Sequence, residues 1–530
     1  MVNESKMTRE NVTTTANGAI AYSTTFSTLV DQFGLSGNYM NRAYDDVCKD
    51  NEDRNSALRF VFYLRLITRN TTFRASESDK MVKTEKVQKG LGLKDEFIKR
   101  LLWIAAHDEA TFIKNLWIVP FIGSWKDLFV LMHYDIELGV NCLNRKIVYG
   151  LISACLRNNI QADLIKKFMP RIDSMRKNVT SWTKNKTRFG KELAKFMGIP
   201  RLTYNKLKSS GTAHDFQKHL CKKEYDMVEW GKIPGKALSL IVNSRLAENK
   251  DIQASLIEWL DKQDTVPYNG YVFELMKNVR NRRSPYSVEL ANKQFETLVN
   301  KAIKDGKITE NVLPILDTSG SMGIRVGNTT AIDISMSLGI FFSTINKGYF
   351  HDCVMMFDSR SYFLKFNGKT FAEKVNEVPM NAMGSTNFQS VIDAIVKLRK
   401  ENPQIPLEEY PTTLLVVSDM QFNPTVYNWT ERKYETSNNE MMKMKLYEVF
   451  PKEYVDSVKF VWWNCVSSEK NFPTECKEGG EYLLSGFDGS IITLLLENET
   501  QQKEEKPTLD IDDMINKVLS QEILQLVSKA

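Results

Sequence analysis

The stretch Asn311-Val-Leu-Pro-Ile-Leu-Asp-Thr-Ser-Gly-Ser-Met322 carries the clearest architectural signal in the chain. Its apolar run reads as a buried strand, and the strand ends in Asp317-x-Ser319-x-Ser321, one carboxylate and two hydroxyls gathered about a point. Oxygen donors of this kind suit a hard divalent cation such as Mg2+, which takes near-octahedral oxygen ligands and keeps some of its waters. Two small hydroxyls leave room for an incoming ligand. Two later segments fit the same site: Gly384-Ser385-Thr386-Asn387 ahead of a helical stretch, and Thr413-Leu-Leu-Val-Val-Ser-Asp419, again a strand ending in Asp. Ligands of open α/β sheets bind outside the carboxyl ends of the strands, so three loops are expected to converge there.

Asp317-x-Ser319-x-Ser321, then Thr386, then Asp419, resembles the metal-ion-dependent adhesion site of von Willebrand factor A domains. The resemblance implies a divalent metal, Mg2+ with Mn2+ as the alternative, held by Asp317, Ser319, Ser321, Thr386 and Asp419. It also implies a protein partner that offers a carboxylate to the ion.

From Thr25 to about Ile303 the apolar spacing is helical, as in Asn55-Ser-Ala-Leu-Arg-Phe-Val-Phe-Tyr-Leu-Arg-Leu-Ile67, and strand signals are scarce. Helices of 10 to 18 residues joined by short loops suggest stacked antiparallel pairs in a solenoid-like array. From about Glu310 short β-rich runs alternate with helices. Strands are expected at Leu313 to Leu316, Cys353 to Phe357, Tyr362 to Phe366, Thr413 to Ser418 and Val458 to Trp463. Helices are expected at Thr330 to Ile345, Asn387 to Lys400, Asn438 to Val449 and Gly489 to Leu496. The fold class is therefore multidomain, an all-α helical-repeat module followed by a doubly wound parallel sheet. The expected domains are a flexible arm over 1–20, the helical module over 21–305, the α/β domain over 306–500, and a charged linker with an amphipathic helix (Asp512 to Val527) over 501–530.

Composition fits this reading. A chain of 530 residues, 42% hydrophobic and 26% charged, has ample core for several domains. Seven scattered cysteines without a Cys-x-x-Cys point to reduced thiols. The first ten residues lack an apolar segment, and no apolar run reaches membrane-spanning length, so a cytoplasmic protein without a membrane partner is expected. The net charge of +6 is modest, but its distribution is uneven. Between Leu151 and Glu224 stand 17 Lys or Arg and five acids, interleaved with Phe168, Trp182, Phe189, Phe196, Tyr204 and Phe216. Cations at that density neutralise phosphates, and aromatics stack on unpaired bases, which points to sequence-tolerant RNA binding.

The order of helical array and α/β domain resembles the Ro-autoantigen type, in which a TROVE module of HEAT-like helical repeats precedes a von Willebrand factor A domain. The similarity is to the bacterial, viral and plant TROVE-like branch. It is carried by Gly123-Ser-Trp-Lys-Asp-Leu128, Trp230-Gly-Lys-Ile-Pro-Gly-Lys-Ala-Leu238 and Asn292-Lys-Gln-Phe-Glu-Thr-Leu-Val299. The chain departs from the family at Thr68-Arg-Asn-Thr-Thr-Phe-Arg74, where a Gly/Lys-rich turn is usual. The resemblance implies a helical ring that binds small noncoding or structured RNA with single-stranded ends. Candidate contacts are Lys184, Lys186, Arg188, Lys191, Lys195, Arg201, Lys206 and Lys208, with a second cluster at Arg280, Arg282 and Arg283.

The expected function is thus an RNA-binding scaffold that recruits a protein through its metal, a ribonucleoprotein component and not an enzyme. The alternative is a metal-dependent adaptor that binds no RNA. Two-metal phosphoryl chemistry needs more clustered carboxylates than Asp317 and Asp419, and no nucleophile triad or phosphate-cradling Gly-rich loop occurs.

Overall fold

The computed structural model describes residues 12–25, 27–34, 54–66, 72–74, 81–83, 90–173, 179–211, 215–280, 284, 286–304, 311–327, 329–357, 360–379, 387–423, 427–428, 433–434, 438–466, 472–474, 476, 480–486 and 511–530. The chain divides into two compact units, one of Met1–Tyr39 with Trp230–Lys517 and the other of Met40–Glu229 with Val518–Ala530. The division falls at 229/230, ahead of the boundary at 305 read from the change in periodicity. Of the helices between Gly235 and Lys304, Tyr286–Lys304 shows why they join this unit: its Phe295 stacks on Phe371 at 4.5 Å and meets Phe341 edge-on.

The second unit is helical. Its clearest local logic lies at Gly123-Ser-Trp-Lys-Asp. Asp127, fully buried in the first turn of the helix Trp125–Glu137, accepts from the Ser124 N–H at 2.9 Å and holds Arg65 at 2.8 Å and Lys94 at 3.3 Å. Gly123 is required because a Cβ there would stand 2.3 Å from Asp127 Oδ2. At the departure noted above, Thr72–Arg74 pairs antiparallel with Met81–Lys83. The single C-terminal helix expected over Asp512 to Val527 is two, Ile511–Leu519 and Glu522–Gln525. The end of the chain is tied into the second unit, where Arg59 donates to Val527 O and Asn115 to Ser528 O.

The first unit carries the sheet. Strands β1 (Val12–Thr14) and β2 (Ile20–Tyr22) form an antiparallel hairpin. Six further strands, β3 (Val312–Asp317), β4 (Cys353–Phe357), β5 (Tyr362–Lys365), β6 (Thr413–Ser418), β7 (Lys459–Asn464) and β8 (Glu481–Ser485), make one sheet in the order β8-β7-β6-β3-β4-β5. Five are parallel, and β5 runs antiparallel to β4, so the sheet is mixed where an all-parallel one was expected. The connection from β4 to β5 is too short for a parallel crossover. Strand β8 escaped the sequence reading because charged and small residues flank its short apolar centre. Pro314 is tolerated inside β3 because pairing with β4 begins only at Ile315.

The helix Ala331–Ile345 lies on β3, nearly every residue buried, with Thr330 accepting from the Asp333 N–H at its N-terminus. Gly339 lets it approach, since a Cβ there would meet Leu316 at 2.2 Å. The helix Phe388–Glu401 buries Val391, Ile392 and Ile395. The helix expected over Gly489 to Leu496 and the linker near 500 lie outside the described residues.

Of the flexible arm expected over 1–20, the structure describes residues 12–20. They are part of the β1–β2 hairpin, whose Ala19, Ala21 and Tyr22 are buried. Polar Thr and Asn residues in this segment hydrogen-bond to backbone, which a composition reading does not register. Among the described residues, no helix is long and apolar enough to cross a membrane.

Candidate metal centre

The chain runs through β3, β4 and β5 to one side of the sheet, then returns to lay β6, β7 and β8 on the other. Neighbouring β3 and β6 therefore form the point at which outgoing connections diverge, the crevice where open α/β sheets bind ligands. Asp317 closes β3 and Asp419 directly follows β6, so the topology brings both carboxylates to that crevice.

Asp317 is completely buried and held on both oxygens. Oδ1 accepts from the Ser319 N–H at 2.9 Å, and Oδ2 accepts from the Ser418 hydroxyl at 2.6 Å. Ser319 and Ser321 bring their hydroxyls within 3.0 Å of each other. Asp419 is half-buried, and its Oδ1 accepts from the Gln421 N–H at 3.1 Å. Burial, and then the charge of Asp419, push the Asp317 carboxyl up to about 6. Burial, then Asp317 and Asp419, push the buried Cys465 thiol well above its ordinary range, which places it within the field of the same carboxylates. Cys465 N–H donates to Ser418 O. Among the described residues, no Lys, Arg or His forms an ion pair with either Asp317 or Asp419. Two carboxylates facing one crevice, with no cationic partner among the described residues, are a site that a cation would stabilise.

The donor set fits a hard divalent ion: two carboxylates and two hydroxyls, all oxygen. Among the described residues no group of three or more His, Cys, Asp or Glu could hold a metal, so any ion here would depend on the serine hydroxyls and on water as well. Thr386 lies outside the described residues. Phe388, two positions on, packs against Phe357 at 5.6 Å, Phe422 at 5.5 Å and Trp462 at 5.1 Å. Those rings join the helix that follows Thr386 to the loop that carries Asp419.

Sequence reasoning missed Ser418 and Cys465. Ser418 reads as one more strand residue, and only its position beside Asp317 gives its hydroxyl a task.

The basic candidates are spread over both units. On the helix Ser181–Phe196, Lys184, Arg188, Lys191 and Lys195 recur at steps of four, three and four and are all exposed, so they share one face. Arg188 on that face also pairs with Glu192, which Arg145 and Tyr149 reach as well. Lys186 is half-buried, over the Trp182 ring at 5.4 Å. Lys206 and Arg201 are exposed, the latter donating to Ile172 O. Lys208 is instead turned inward, donating to Lys167 O at 3.0 Å and Lys166 O at 3.4 Å at the end of the helix Ala162–Phe168. Burial lowers its ammonium, helped by Arg171 and Lys186. Lys126, which the sequence reading passed over, is lowered by burial and then by Lys94 and Lys186, so these three cations share a field. Arg280 lies in the other unit and pairs with Asp333 at 2.7 Å, while Arg282 and Arg283 are outside the described residues. Of the interleaved aromatics, Phe189 and Tyr204 are core and Phe196 is exposed.

No curated protein matches the chain. Residues 311–528, which begin one residue ahead of β3 and contain Asp317, Ser319, Ser321, Thr386 and Asp419, match the model of a family described as a domain of unknown function (DUF7788).

Proposed function

We propose that the protein is an RNA-binding scaffold of the Ro type, in which an exposed basic helix face holds small structured RNA and an A-domain-like metal site recruits a protein partner. The observation that carries the RNA half is the face shared by Lys184, Arg188, Lys191 and Lys195. A row of cations along one helix side tracks a phosphate backbone, and the field shared by Lys94, Lys126 and Lys186 adds positive charge in the same unit.

The metal half is supported by the sheet order and by the site's composition. Strands β3 to β8 follow the order 3-2-1-4-5-6 with one antiparallel edge, as expected of a von Willebrand factor A domain, and Asp317 and Asp419 flank its switch point. An ion held by Asp317, Ser319, Ser321 and Asp419, with Thr386 as the fifth ligand expected from the motif, would have its two charges balanced by the two carboxylates and would keep a water-filled position that a partner's carboxylate could take. No covalent step is required, and the helical unit would serve as the array of repeats.

The test is titration of a labelled hairpin RNA with a single-stranded 3′ tail against salt, using wild type and a Lys184/Lys191/Lys195→Ala variant. Tight, salt-steep binding that the variant weakens supports the scaffold. Absence of binding by wild type at low salt overturns it and leaves the metal-dependent adaptor, which the intact crevice at β3 and β6 favours independently of RNA.

A further inference from the structure

The turn that carries Asp419 is held by a segment some 400 residues away in the chain. Between β1 and β2, Thr15 Oγ1 donates to Phe422 O at 2.5 Å, Ala16 N–H donates to Gln421 Oε1 at 2.8 Å, and Asn17 Nδ2 donates to Gln421 O at 2.8 Å. Thr15 is buried, and its Oγ1 also accepts from the Ala19 N–H, so the hydroxyl is fixed by the hairpin's own tight turn. Farther along, Tyr22 and Phe472 exchange two backbone hydrogen bonds, and Ser485 at the end of β8 donates to Phe33 O. Residues 12–25 and 27–34 therefore reach from the loop after β6 to β8 along the carboxyl edge of the sheet.

The turn needs such support. Met420 has φ +65°, a left-handed conformation that L side chains other than Asn and Asp rarely adopt. Its neighbours make the contacts that matter: Met420 N–H donates to Ser418 Oγ, and Gln421 N–H donates to Asp419 Oδ1. Strained turns persist where their surroundings over-determine them. Here the hairpin grips Gln421 and the Phe422 carbonyl from one direction. The Phe422 ring, against Phe357, Phe388 and Trp462, anchors the same residue within the core.

We propose that the β1–β2 hairpin is a working part of the metal centre, in which Thr15 and Asn17 are positioning residues that hold the Asp419 turn in the geometry required for ion binding. The proposal rests on the metal reading above and adds to it an N-terminal component that lies outside residues 311–528. Partners that support a ligand's orientation affect affinity without touching the ion.

The experiment uses the full chain as wild type, Thr15→Val, Thr15→Ser and Asn17→Ala. Mn2+ affinity is measured by calorimetry, and amide hydrogen exchange is followed in the peptide covering residues 414–423. Thr15→Val and Asn17→Ala are expected to speed exchange in that peptide and weaken Mn2+ binding by about 10- to 100-fold, while Thr15→Ser restores both. Unchanged exchange in all variants overturns the clamp, and so does faster exchange at wild-type Mn2+ affinity. Wild type that binds no Mn2+ overturns the metal centre itself, an outcome read from the wild-type arm alone. Because Asn17 is at the solvent-facing tip of the hairpin, Asn17→Ala tests the clamp even if Thr15→Val fails to fold.

Discussion

Ser418 donates its hydroxyl to Asp317 Oδ2 at 2.6 Å, joining the carboxyl ends of the two central strands, β6 and β3. The same hydroxyl oxygen accepts from the Met420 N–H at 3.1 Å, so one side chain fixes a carboxylate and starts the turn at Asp419. Ser418→Ala should leave a completely buried carboxylate oxygen without this donor and cost about 1 to 3 kcal/mol in the unfolding of this unit, measured by urea denaturation. A loss indistinguishable from zero would mean that water or a rearranged neighbour replaces the hydroxyl at no cost.

The buried Asp317 carboxyl gives the metal-free protein a defined pH response. Its pKa is pushed up to about 6 from 3.8, burial being the larger cause and the Asp419 charge the next. A raised carboxyl binds its proton more tightly in the folded state than in the unfolded chain. Its contribution is most favourable below the unfolded pKa and is lost as pH rises through about 6, a change on the order of 3 kcal/mol. Asp317→Asn should flatten that part of the stability profile. Conversely, Mn2+ competes with the proton, so the rise in melting temperature that it produces should be larger at pH 7 than at pH 5. Equal rises at the two pH values would count against Asp317 as a ligand.

On the basic face, counterion release sets the expected readout. Each phosphate neutralised on single-stranded RNA contributes about 0.7 to the slope of log affinity against log salt. Lys184/Lys191/Lys195→Ala should therefore reduce that slope by about two. Lys208→Ala should leave the slope close to wild type, because its ammonium is bound to the Lys166 and Lys167 carbonyls. If Lys208→Ala flattens the slope as much as the triple variant, the assignment of the RNA face to the exposed residues is wrong.

In the helical unit, Asp127 is a single carboxylate supporting Arg65, Lys94 and the Ser124 N–H. Removing one partner of a buried ion pair strands the remaining charge, so Asp127→Ala should cost about 3 to 5 kcal/mol. Protection from hydrogen exchange should fall first in the helix Trp125–Glu137. Protection equal to wild type there would show that the Arg65 side chain finds another acceptor.

Gly339→Val tests the contact between the helix Ala331–Ile345 and β3. A Cβ at this position would stand 2.2 Å from Leu316 Cδ2, and the methyls of valine would add to the clash. Overpacking of this kind costs about 1 to 3 kcal/mol. The shift should appear in the thermal unfolding of the unit, and wild-type Mn2+ affinity at low temperature would place the damage in stability alone.

Much of the α/β region was legible because its signals are local. Val312 to Leu316 and Thr413 to Ser418 are apolar runs of strand length ending in Asp, and both are strands in the sheet's centre. Tyr362 to Lys365 was legible as a strand but not in direction, since antiparallel pairing depends on the length and path of the preceding turn. Lys184, Arg188, Lys191 and Lys195 were legible as candidates from charge density, but their common exposed face and the inward course of Lys208 were not, because the carbonyls that Lys208 caps belong to another helix. Arg280 reads as a free cation until Asp333, 53 positions away, is seen beside it.

Residue order alone specifies the alternation of elements after residue 310, the carboxylate at the end of each central strand, and the oxygen chemistry of the candidate site. Local periodicity, β-branched content and turn residues are enough for that, since each acts within a few residues of the backbone it shapes. Tertiary packing supplied the hydrogen bond between Asp317 and Ser418, 101 residues apart, and the grip of a polar N-terminal hairpin on the Asp419 turn. It also decided that the helices after Trp230 belong with the sheet. Pairing order, desolvation and the field between two carboxylates arise from which surfaces exclude water together, and that is a property of the folded chain as a whole.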